Sequence, residues 1–373
     1  MCTRLARRNS AAAADAAGPK SNPGAKTTVE LLVAAHNEEK VIALTLRSLQ
    51  TAIERISPDA NFEFKITVGL DHCSDKTATV VESFAKTATV SAGILENAGA
   101  AGKWYILNKL IKQSSADWVA LVDSGSIWEA DLLAAALAGM QDGTVMGIAP
   151  SYSTSHGGAA EGLNWKLEQF LKQLENSSGG PVSVHGATVL YRRSTLLPAL
   201  AQLGGTLWLN DDVVIPLTLR MQNPALNIAY MIHPTKPAFV SDCGITAEIG
   251  VEYRRRRRMA AGNVQWIRGI FFPGFFTNFA VTLIASRRVA RVLWAYWALA
   301  IILGSSLALM ELLARIDLSL LQRTGIELSL GLCFVGLFIG SNLARRLSMA
   351  FLSGLQVPRL WKSMSKESGV SWV

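Results

Sequence analysis

The chain has little cysteine and little histidine, and both shortages limit the chemistry open to it. The four cysteines have neither the close spacing of a zinc site nor that of a disulfide framework (Cys2, Cys73, Cys243 and Cys333). The five histidines do not form a metal-binding group by their spacing either (His36, His72, His156, His185 and His233). These patterns favour a reducing, cytosol-facing compartment over a secreted, disulfide-stabilised protein.

The amino-terminal segment lacks the continuous apolar stretch that a secretory signal requires. Residues 1–28 are rich in Ala, Ser, Gly, Pro and basic residues, so we expect a disordered leader there. An organelle transit peptide is the alternative, because three arginines occur in this segment with a single acid (Arg4, Arg7 and Arg8).

Charge is unbalanced, with 36 Lys and Arg against 28 Asp and Glu, which gives a net charge of +8. Five of the basic residues are consecutive, at Arg254–Arg258. A basic balance suits nucleic acid, anionic lipid or a phosphorylated substrate. The sequence lacks interleaved aromatic and basic residues and a helix-turn-helix pattern, so we expect no nucleic-acid partner.

Long apolar runs are missing from the first part of the chain and gather after residue 269. The lengths of two such runs predict membrane spans at 292–313 and 326–343. Basic residues flank both runs, which puts both flanks in the cytoplasm (Arg287, Arg288, Arg291, Arg345 and Arg346). We therefore expect a multi-pass membrane region at 287–373 with a cytoplasmic tail, preceded by an interfacial segment at 269–286. The alternative is that these runs are buried helices of a large soluble core.

The segment from Val29 alternates between strand and helix patterns. "VELLVAAH", "FEFKITVGL", "TVSAGIL" and "WVALVD" read as strands, with helical spacing between them and a further helix over Glu129–Gly139. Such alternation predicts a parallel α/β sheet, in which ligands bind beyond the carboxyl ends of the strands. Polar residues stand at three of those ends and should converge (His36-Asn37-Glu38, Asp71-His72 and Asp123-Ser124).

These side chains suit chemistry on a nucleoside diphosphate. Carboxylates are the oxygen ligands that Mg²⁺ and Mn²⁺ prefer beside phosphates, and arginines bind a diphosphate bidentately. Each residue also has a purely structural explanation. Asp71 and Asp123 could be turn residues, Asp211 and Asp212 could favour a helix start, and Arg254–Arg258 could be solvated or meet lipid headgroups.

The order and context of the motifs resemble the family 2 glycosyltransferases over roughly Val29–Gln265. The segments that carry the resemblance are "VAAHNEEKVIALTLRSL", "DHCSDKT", "ENAGAAGKWYILNKLI", "WVALVDSGS", "VHGATVLYRRSTL", "LWLNDDVVIPLTL" and "EYRRRRRMAAGNVQ". The resemblance implies a GT-A fold, meaning a Rossmann-like, mixed and mostly parallel sheet flanked by helices. It would occupy 29–268, ahead of the membrane region.

The same resemblance implies roles for individual residues. Asp212 would be the catalytic base of an inverting transferase. The donor, expected to be a UDP-sugar, would be bound by five residues (Asn37, Glu38, Asp71, Lys103 and Asp123). Three residues would serve the diphosphate or the acceptor (Asp211, Arg255 and Arg258). Asp123 would also hold a divalent metal, Mg²⁺ or Mn²⁺, and the membrane region points to a lipid or lipid-linked glycan acceptor.

Two departures from the family pattern qualify this interpretation. Gly125 stands where the DxD motif has its second acid, so Ser126, Glu129 or water would have to replace it. In the QxxRW motif Arg255 replaces the Gln and Met259 replaces the Trp, while Arg258 matches.

Two alternative functions stay open. The first is a processive polysaccharide synthase, and the missing Trp argues against it. The second alternative is a catalytically silent, membrane-anchored protein that binds nucleotide sugars. A nucleotidyltransferase is disfavoured because "AAHNEEK" replaces its Gly-rich, Arg-containing loop.

Overall fold

The structure is a computed structural model that describes residues 26–154, 159–243, 249–315 and 325. The described residues divide into two compact units. The first comprises those up to residue 243 together with 272–284, and the second comprises those at 249–271 and from 285 onward. Almost all of the predicted leader lies outside the described residues. The second predicted span, 326–343, lies entirely outside them.

The bounds of the elements are as follows. The strands are β1 Thr27–Ala35, β2 Phe62–Leu70, β3 Ser91–Glu96, β4 Trp118–Asp123, β5 Ser126–Trp128, β6 Val145–Pro150, β7 Tyr152–Ser153, β8 Thr188–Arg192, β9 Asn227–Met231 and β10 Val240–Asp242. The helices of the first part of the chain are α1 Ile42–Glu54, α2 Thr77–Thr87, α3 Lys103–Gln113, α4 Leu132–Gln141, α5 Ala159–Asn176, α6 Arg193–Leu203 and α7 Asp211–Gln222. They are followed by α8 Ile249–Trp266, a π-helix at Ile267–Phe271, α9 Phe272–Thr277, α10 Phe279–Val292 and α11 Trp294–Arg315.

Seven strands form one mixed sheet in the order β3-β2-β1-β4-β8-β6-β9. All its neighbours pair in parallel except β8, which runs antiparallel to both β4 and β6. β1 and β4 are apolar and buried along almost their whole length, as expected for strands that are covered by helices on both faces. The predicted mixed, mostly parallel sheet flanked by helices is confirmed.

A small second sheet, in the order β5-β10-β7, was not anticipated from the sequence. Its strand β5 occupies the residues that follow the first acid of the DxD position. The backbone N–H of Glu129 then donates to the carbonyl of Phe239 at 2.8 Å. Because Glu129 extends this pairing, the helix predicted to begin there begins instead at Leu132.

The second unit contains one helix that is long and apolar enough to cross a membrane. This stretch is Trp294–Leu312 in α11, and only 6% of it is buried. It falls within the first predicted span, 292–313. No other helix of that kind occurs in the ranges that the structure describes, so the multi-pass topology remains a prediction.

Candidate active site

The carboxyl ends of three parallel strands bring the predicted polar residues to one edge of the large sheet. Asp123 ends β4 and is in register with Ala34 of β1. Asp71 follows β2 directly, and its N–H donates to the carbonyl of Ala35 at 2.9 Å. The chemistry of this edge therefore comes from segments that are far apart in the sequence.

Asp71 is fully buried and ties the end of β2 to the start of α3. Its carboxylate accepts hydrogen bonds from the backbone N–H of Gly102 at 2.7 Å and from the Asn97 side-chain amide. The ring of His72 lies 3.0 Å from the same carboxylate. Gly102 has a φ of 139°, a conformation that favours glycine. Asp71 thus has a structural role in placing Lys103, the first residue of α3, and its contact with a nucleoside stays a prediction.

The turn after β1 is held in an uncommon backbone conformation. Asn37 has a φ of 56°, and its side-chain oxygen accepts a hydrogen bond from the N–H of Ser74 at 2.7 Å. The Nδ1 of His36 donates to the carbonyl of Asp71 at 2.5 Å. These contacts join the turn after β1 to the segment after β2, so both flank the same space.

Glu38 lies in this turn, and its pKa is raised to about 7. Burial is the largest cause, followed by repulsion from Asp123 and Asp75. The influence of Asp123 means that Glu38 faces the same acidic surroundings. A carboxyl with such a pKa exchanges its proton near neutral pH.

Lys103 is the centre of the site. Its Nζ lies 2.6 Å from Asp123 Oδ1 and 3.1 Å from Asp211 Oδ2, and its side chain is only 16% exposed. Burial lowers the pKa of Lys103, but the two carboxylates raise it by a larger amount, so the net shift is upward. The lysine is therefore charged and joins the end of β4 to the start of α7.

Asp212 lies beside Gly186, as does Asp123. A Cβ placed on Gly186 would lie 3.5 Å from the Cβ of Asp212 and 3.9 Å from Asp123 Oδ2. The backbone carbonyl of Asp212 also accepts the N–H of Val184 at 2.9 Å. We call Lys103, Asp123, Asp211 and Asp212 the acid–lysine cluster. The negative charge of the cluster also affects the buried hydroxyl of Tyr191. The pKa of Tyr191 is raised mainly by burial and then by repulsion from Asp211 and Asp212.

Asp211 and Asp212 stand in the first turn of α7, as the sequence indicated, where carboxylates favour the helix dipole. The N-cap itself is Asn210. Neither acid is therefore needed as the cap residue.

Two further features of this region could not be recognised from sequence motifs. Gly186 is one, because its importance comes from its neighbours rather than from any motif. The other is a stack between the rings of Tyr152 and His185, whose centroids are 3.6 Å apart at an angle of 8°. The Tyr152 hydroxyl donates to Asp242 at 3.2 Å. His185 precedes Gly186, so this stack borders the acid–lysine cluster.

The place of the missing second acid is a tight turn. Gly125 has a φ of 87°, its N–H donates to Thr45 Oγ1 at 2.8 Å, and its carbonyl accepts the N–H of Cys243 at 3.0 Å. Of the predicted substitutes, Ser126 donates its hydroxyl to the carbonyl of Ala187, and Glu129 pairs with Lys236. Across the described ranges, no three residues of the metal-binding types form a group that could hold a metal ion.

The two predicted arginines lie in α8, within the second unit. The side chain of Arg255 lies outside the described residues. Arg258 is partly buried, and its Nε has no hydrogen-bond partner among the described residues. Met259, at the position of the motif's tryptophan, is 42% exposed.

Comparison with known proteins agrees with this architecture. Residues 25–259 match the sequence model described as "Glycosyltransferase like family 2", which is more than half of the chain. A search of curated proteins found no match. Among solved structures, a mannosyltransferase from Pyrobaculum calidifontis in complex with GDP-Man and Mn²⁺ is similar at a TM-score of 0.62 and 18% identity. The similarity covers 98% of this chain and 100% of that one.

Two other structures are less similar and carry no further argument. S. aureus TarS, in complex with UDP-GlcNAc, has a TM-score of 0.42 and 16% identity, over 67% of this chain and 75% of that one. Glucosyl-3-phosphoglycerate synthase from Mycobacterium tuberculosis, with Mn²⁺, UDP and its product, has a TM-score of 0.40 and 13% identity, over 68% and 81%. The family match and the fold together confirm the resemblance seen in the motifs. The chain therefore belongs to glycosyltransferase family 2 and is a glycosyltransferase with the GT-A fold.

Proposed function

We propose that this enzyme transfers a sugar, with inversion, from a nucleoside-diphosphate sugar to a hydroxyl of a membrane-associated lipid or lipid-linked glycan. The observation that carries the proposal is the acid–lysine cluster beyond the strand ends, where one ammonium contacts the carboxylates of Asp123 and Asp211 and Asp212 lies beside Gly186. Ligands of open α/β sheets bind at this edge. Each of these groups has a use in glycosyl transfer.

The donor lies along the edge in this proposal, with its nucleoside beside the turn formed by Asn37 and Glu38 and the nearby Asp71. We infer a UDP-sugar from the resemblance of the motifs. Asp123 faces the ribose or the diphosphate, and Lys103 binds the diphosphate. Arg258, whose Nε has no hydrogen-bond partner among the described residues, stabilises the leaving group together with Arg255 in this proposal.

Asp212 is the base in this mechanism. The acceptor hydroxyl oxygen attacks the anomeric carbon and forms the new glycosidic bond. The bond between that carbon and the diphosphate oxygen breaks, and the nucleoside diphosphate leaves with the electron pair. The hydroxyl proton passes to the Asp212 carboxylate. A positioned base of this kind contributes roughly 10²–10⁴ to the rate.

The resemblance implies a divalent metal at Asp123, and Mn²⁺ accompanies GDP-Man in the similar mannosyltransferase structure. The residues described here do not fit a conventional metal site. Asp123 Oδ1 lies 2.6 Å from the Lys103 ammonium, and position 125 is a glycine without a side chain. No step of the mechanism above runs through a metal.

The membrane-associated acceptor is inferred from two apolar features. The candidate span in α11 is almost entirely exposed. In the first unit, α9 and the start of α10 expose a group of large apolar side chains (Phe272, Phe275, Phe276, Phe279 and Leu283). A catalytic unit held at a bilayer surface meets lipid-linked hydroxyls at a high effective concentration.

The test is a donor screen on the full chain in detergent, with membrane lipid extracts as the acceptor source and released nucleoside diphosphate as the readout. We expect nucleoside diphosphate to be released from one of the nucleotide sugars. Asp212→Asn should lower the turnover rate about 10²- to 10⁴-fold. Asp59→Asn, an exposed loop residue, is the matched control and should keep full turnover.

Nucleotide binding without turnover of any donor would favour the silent binding protein. Near wild-type turnover in Asp212→Asn would show that the base is another residue. A long polymeric product would favour the polysaccharide synthase instead.

A further inference from the structure

A lysine ammonium contacts Asp123, the carboxylate at which the motif resemblance implies a divalent metal. We propose that Lys103 supplies the positive charge that faces the donor diphosphate, so that donor binding and transfer proceed with all divalent metal removed. The inference rests on the proposed function and specifies how its site handles the charge of the leaving group.

The hydrogen-bonding capacity of the ammonium supports this role. A lysine ammonium has three N–H donors. Among the described residues, the contacts of Lys103 Nζ are to the carboxylates of Asp123 and Asp211. One N–H to each acid uses two donors, so the third can turn from the second Asp211 oxygen, Oδ1 at 3.4 Å, to a phosphate oxygen. The side chain is mostly buried, so its charge is weakly screened by solvent.

The surrounding acids are arranged around the lysine rather than around a metal. The oxygen of Asp123 that contacts Lys103 is at 2.6 Å, so a divalent cation on that carboxylate would stand close to a fixed positive charge and be repelled by it. Gly125 offers no ligand, and Ser126 and Glu129 have other partners. The negative charges of Asp123 and Asp211 are therefore compensated by the Lys103 ammonium.

Lys103 stands at a position in its helix where a positive charge is unfavourable without nearby acids. It is the first residue of α3, where the helix dipole disfavours a positive charge. Burial also disfavours the charged form. The two carboxylates overcome both effects, and the Gly102 N–H held by Asp71 fixes where the lysine side chain begins.

The cluster still has more negative than positive charge before the donor binds. The diphosphate is therefore expected to approach the ammonium rather than the carboxylates, with Lys103 as the binding group.

The experiment measures binding of UDP and of GDP to the full chain by isothermal titration calorimetry, once in excess EDTA and once in Mn²⁺. The variants are Lys103→Met, Lys103→Arg and, as the matched control on the same helix, Lys109→Met, whose ammonium donates to the carbonyl of Glu96. Melting curves of each variant report folding separately. Donor turnover is measured under both metal conditions.

We expect one of the two nucleotides to bind wild type with the same affinity in EDTA and in Mn²⁺, and turnover to persist in EDTA. Lys103→Met should weaken binding about 10- to 100-fold in EDTA, the effect of losing a hydrogen bond to a charged group. Lys103→Arg should retain most of the affinity, because it keeps the charge, and Lys109→Met should bind as wild type does.

Loss of binding and turnover in EDTA, with recovery in Mn²⁺, would overturn the proposal for Lys103 and leave the transferase function intact. Unchanged EDTA binding in a folded Lys103→Met would overturn it as well. Lysine-dependent nucleotide binding in EDTA without turnover of any donor would support the role of Lys103 in binding and contradict the proposed transferase function. If neither nucleotide bound in either condition, both proposals would be wrong.

Discussion

Gly186 and Asp212 lie against each other: a Cβ on the glycine would be 3.5 Å from the Cβ of the aspartate. The same Cβ would be 3.9 Å from Asp123 Oδ2, so the acid of the DxD position and the proposed base both border the space at Gly186. A large side chain at position 186 would fill this space and exclude a substrate from it.

Substitution of Gly186 should therefore reduce transfer in proportion to side-chain size. Both distances are ordinary van der Waals contacts, so Gly186→Ala should fold and lose little activity. Gly186→Leu should lose up to about 100-fold in kcat/KM, because small displacements of reacting groups are costly. Steady-state kinetics with the identified donor measures this.

The matched control is Gly205→Leu, since no atom lies within 4 Å of a Cβ at Gly205. It should retain wild-type kinetics. Equal activity of Gly186→Leu and wild type would show that substrate does not pass between Asp123 and Asp212.

Glu38 should make the stability of the protein depend on pH. Its pKa in the folded protein, about 7, exceeds the ordinary value of 4.5, so between these values the folded state binds more protons than the unfolded state. The free energy of unfolding therefore falls as pH rises through this window. Glu38→Gln, which cannot ionise, should show a smaller decrease in melting temperature from about pH 5 to about pH 8.

Glu63→Gln is the control for this measurement, because Glu63 is exposed on β2. It should keep the pH dependence of wild type. A Glu38→Gln profile that parallels wild type would mean that another group is responsible for the pH dependence.

Asp71 should matter for folding independently of any nucleotide. Asp71→Asn removes the charge that holds the Gly102 N–H at 2.7 Å and contacts the Asn97 amide. Hydrogen bonds to a buried charged group contribute about 1.5–3 kcal/mol, so the free energy of unfolding should fall by about that amount. Urea denaturation measures it, with Asp59→Asn as the exposed control. An unchanged midpoint would mean that Asp71 serves the ligand alone.

The helix α11 should hold the chain in a membrane. Leu303 and Leu307 lie within its apolar stretch and are 56% and 67% exposed. An arginine at the centre of a span costs about 2.5–3.5 kcal/mol on insertion scales. The double variant Leu303→Arg/Leu307→Arg should therefore be more readily released from membranes by alkaline carbonate than wild type.

Leu44→Arg controls for the added charge, because Leu44 is an exposed leucine of α1 in the first unit. It should stay in the pellet as wild type does. Full retention of the Leu303→Arg/Leu307→Arg variant would show that α11 is not what holds the chain there.

The sequence was sufficient to predict the large sheet because its strands are nearly continuous apolar runs between helices with clear periodicity. It was not sufficient for β5, since Ser126–Trp128 is too short to show a period and is fixed by pairing with β10. The acid pair at the start of α7 could be recognised from its local pattern. The bridge from Lys103 to Asp123 and Asp211 could not, because it depends on contacts across 20 and 108 residues of chain.

Gly186 illustrates the same limit in the site. A glycine after a histidine in "VHGATVL" has no distinctive spacing, and only the approach of Asp212 and Asp123 gives it a role. Conversely, Asp71 was predicted from a motif as a ligand contact, and the structure adds that it holds the start of α3.

The most direct test of the central claim is an experimental structure of the full chain with its nucleoside-diphosphate sugar or a non-transferable analogue. We expect a diphosphate oxygen at hydrogen-bonding distance, about 3 Å, from Lys103 Nζ, and the anomeric carbon on the side of Asp212. A donor bound elsewhere, with Lys103 still engaged only by Asp123 and Asp211, would contradict it.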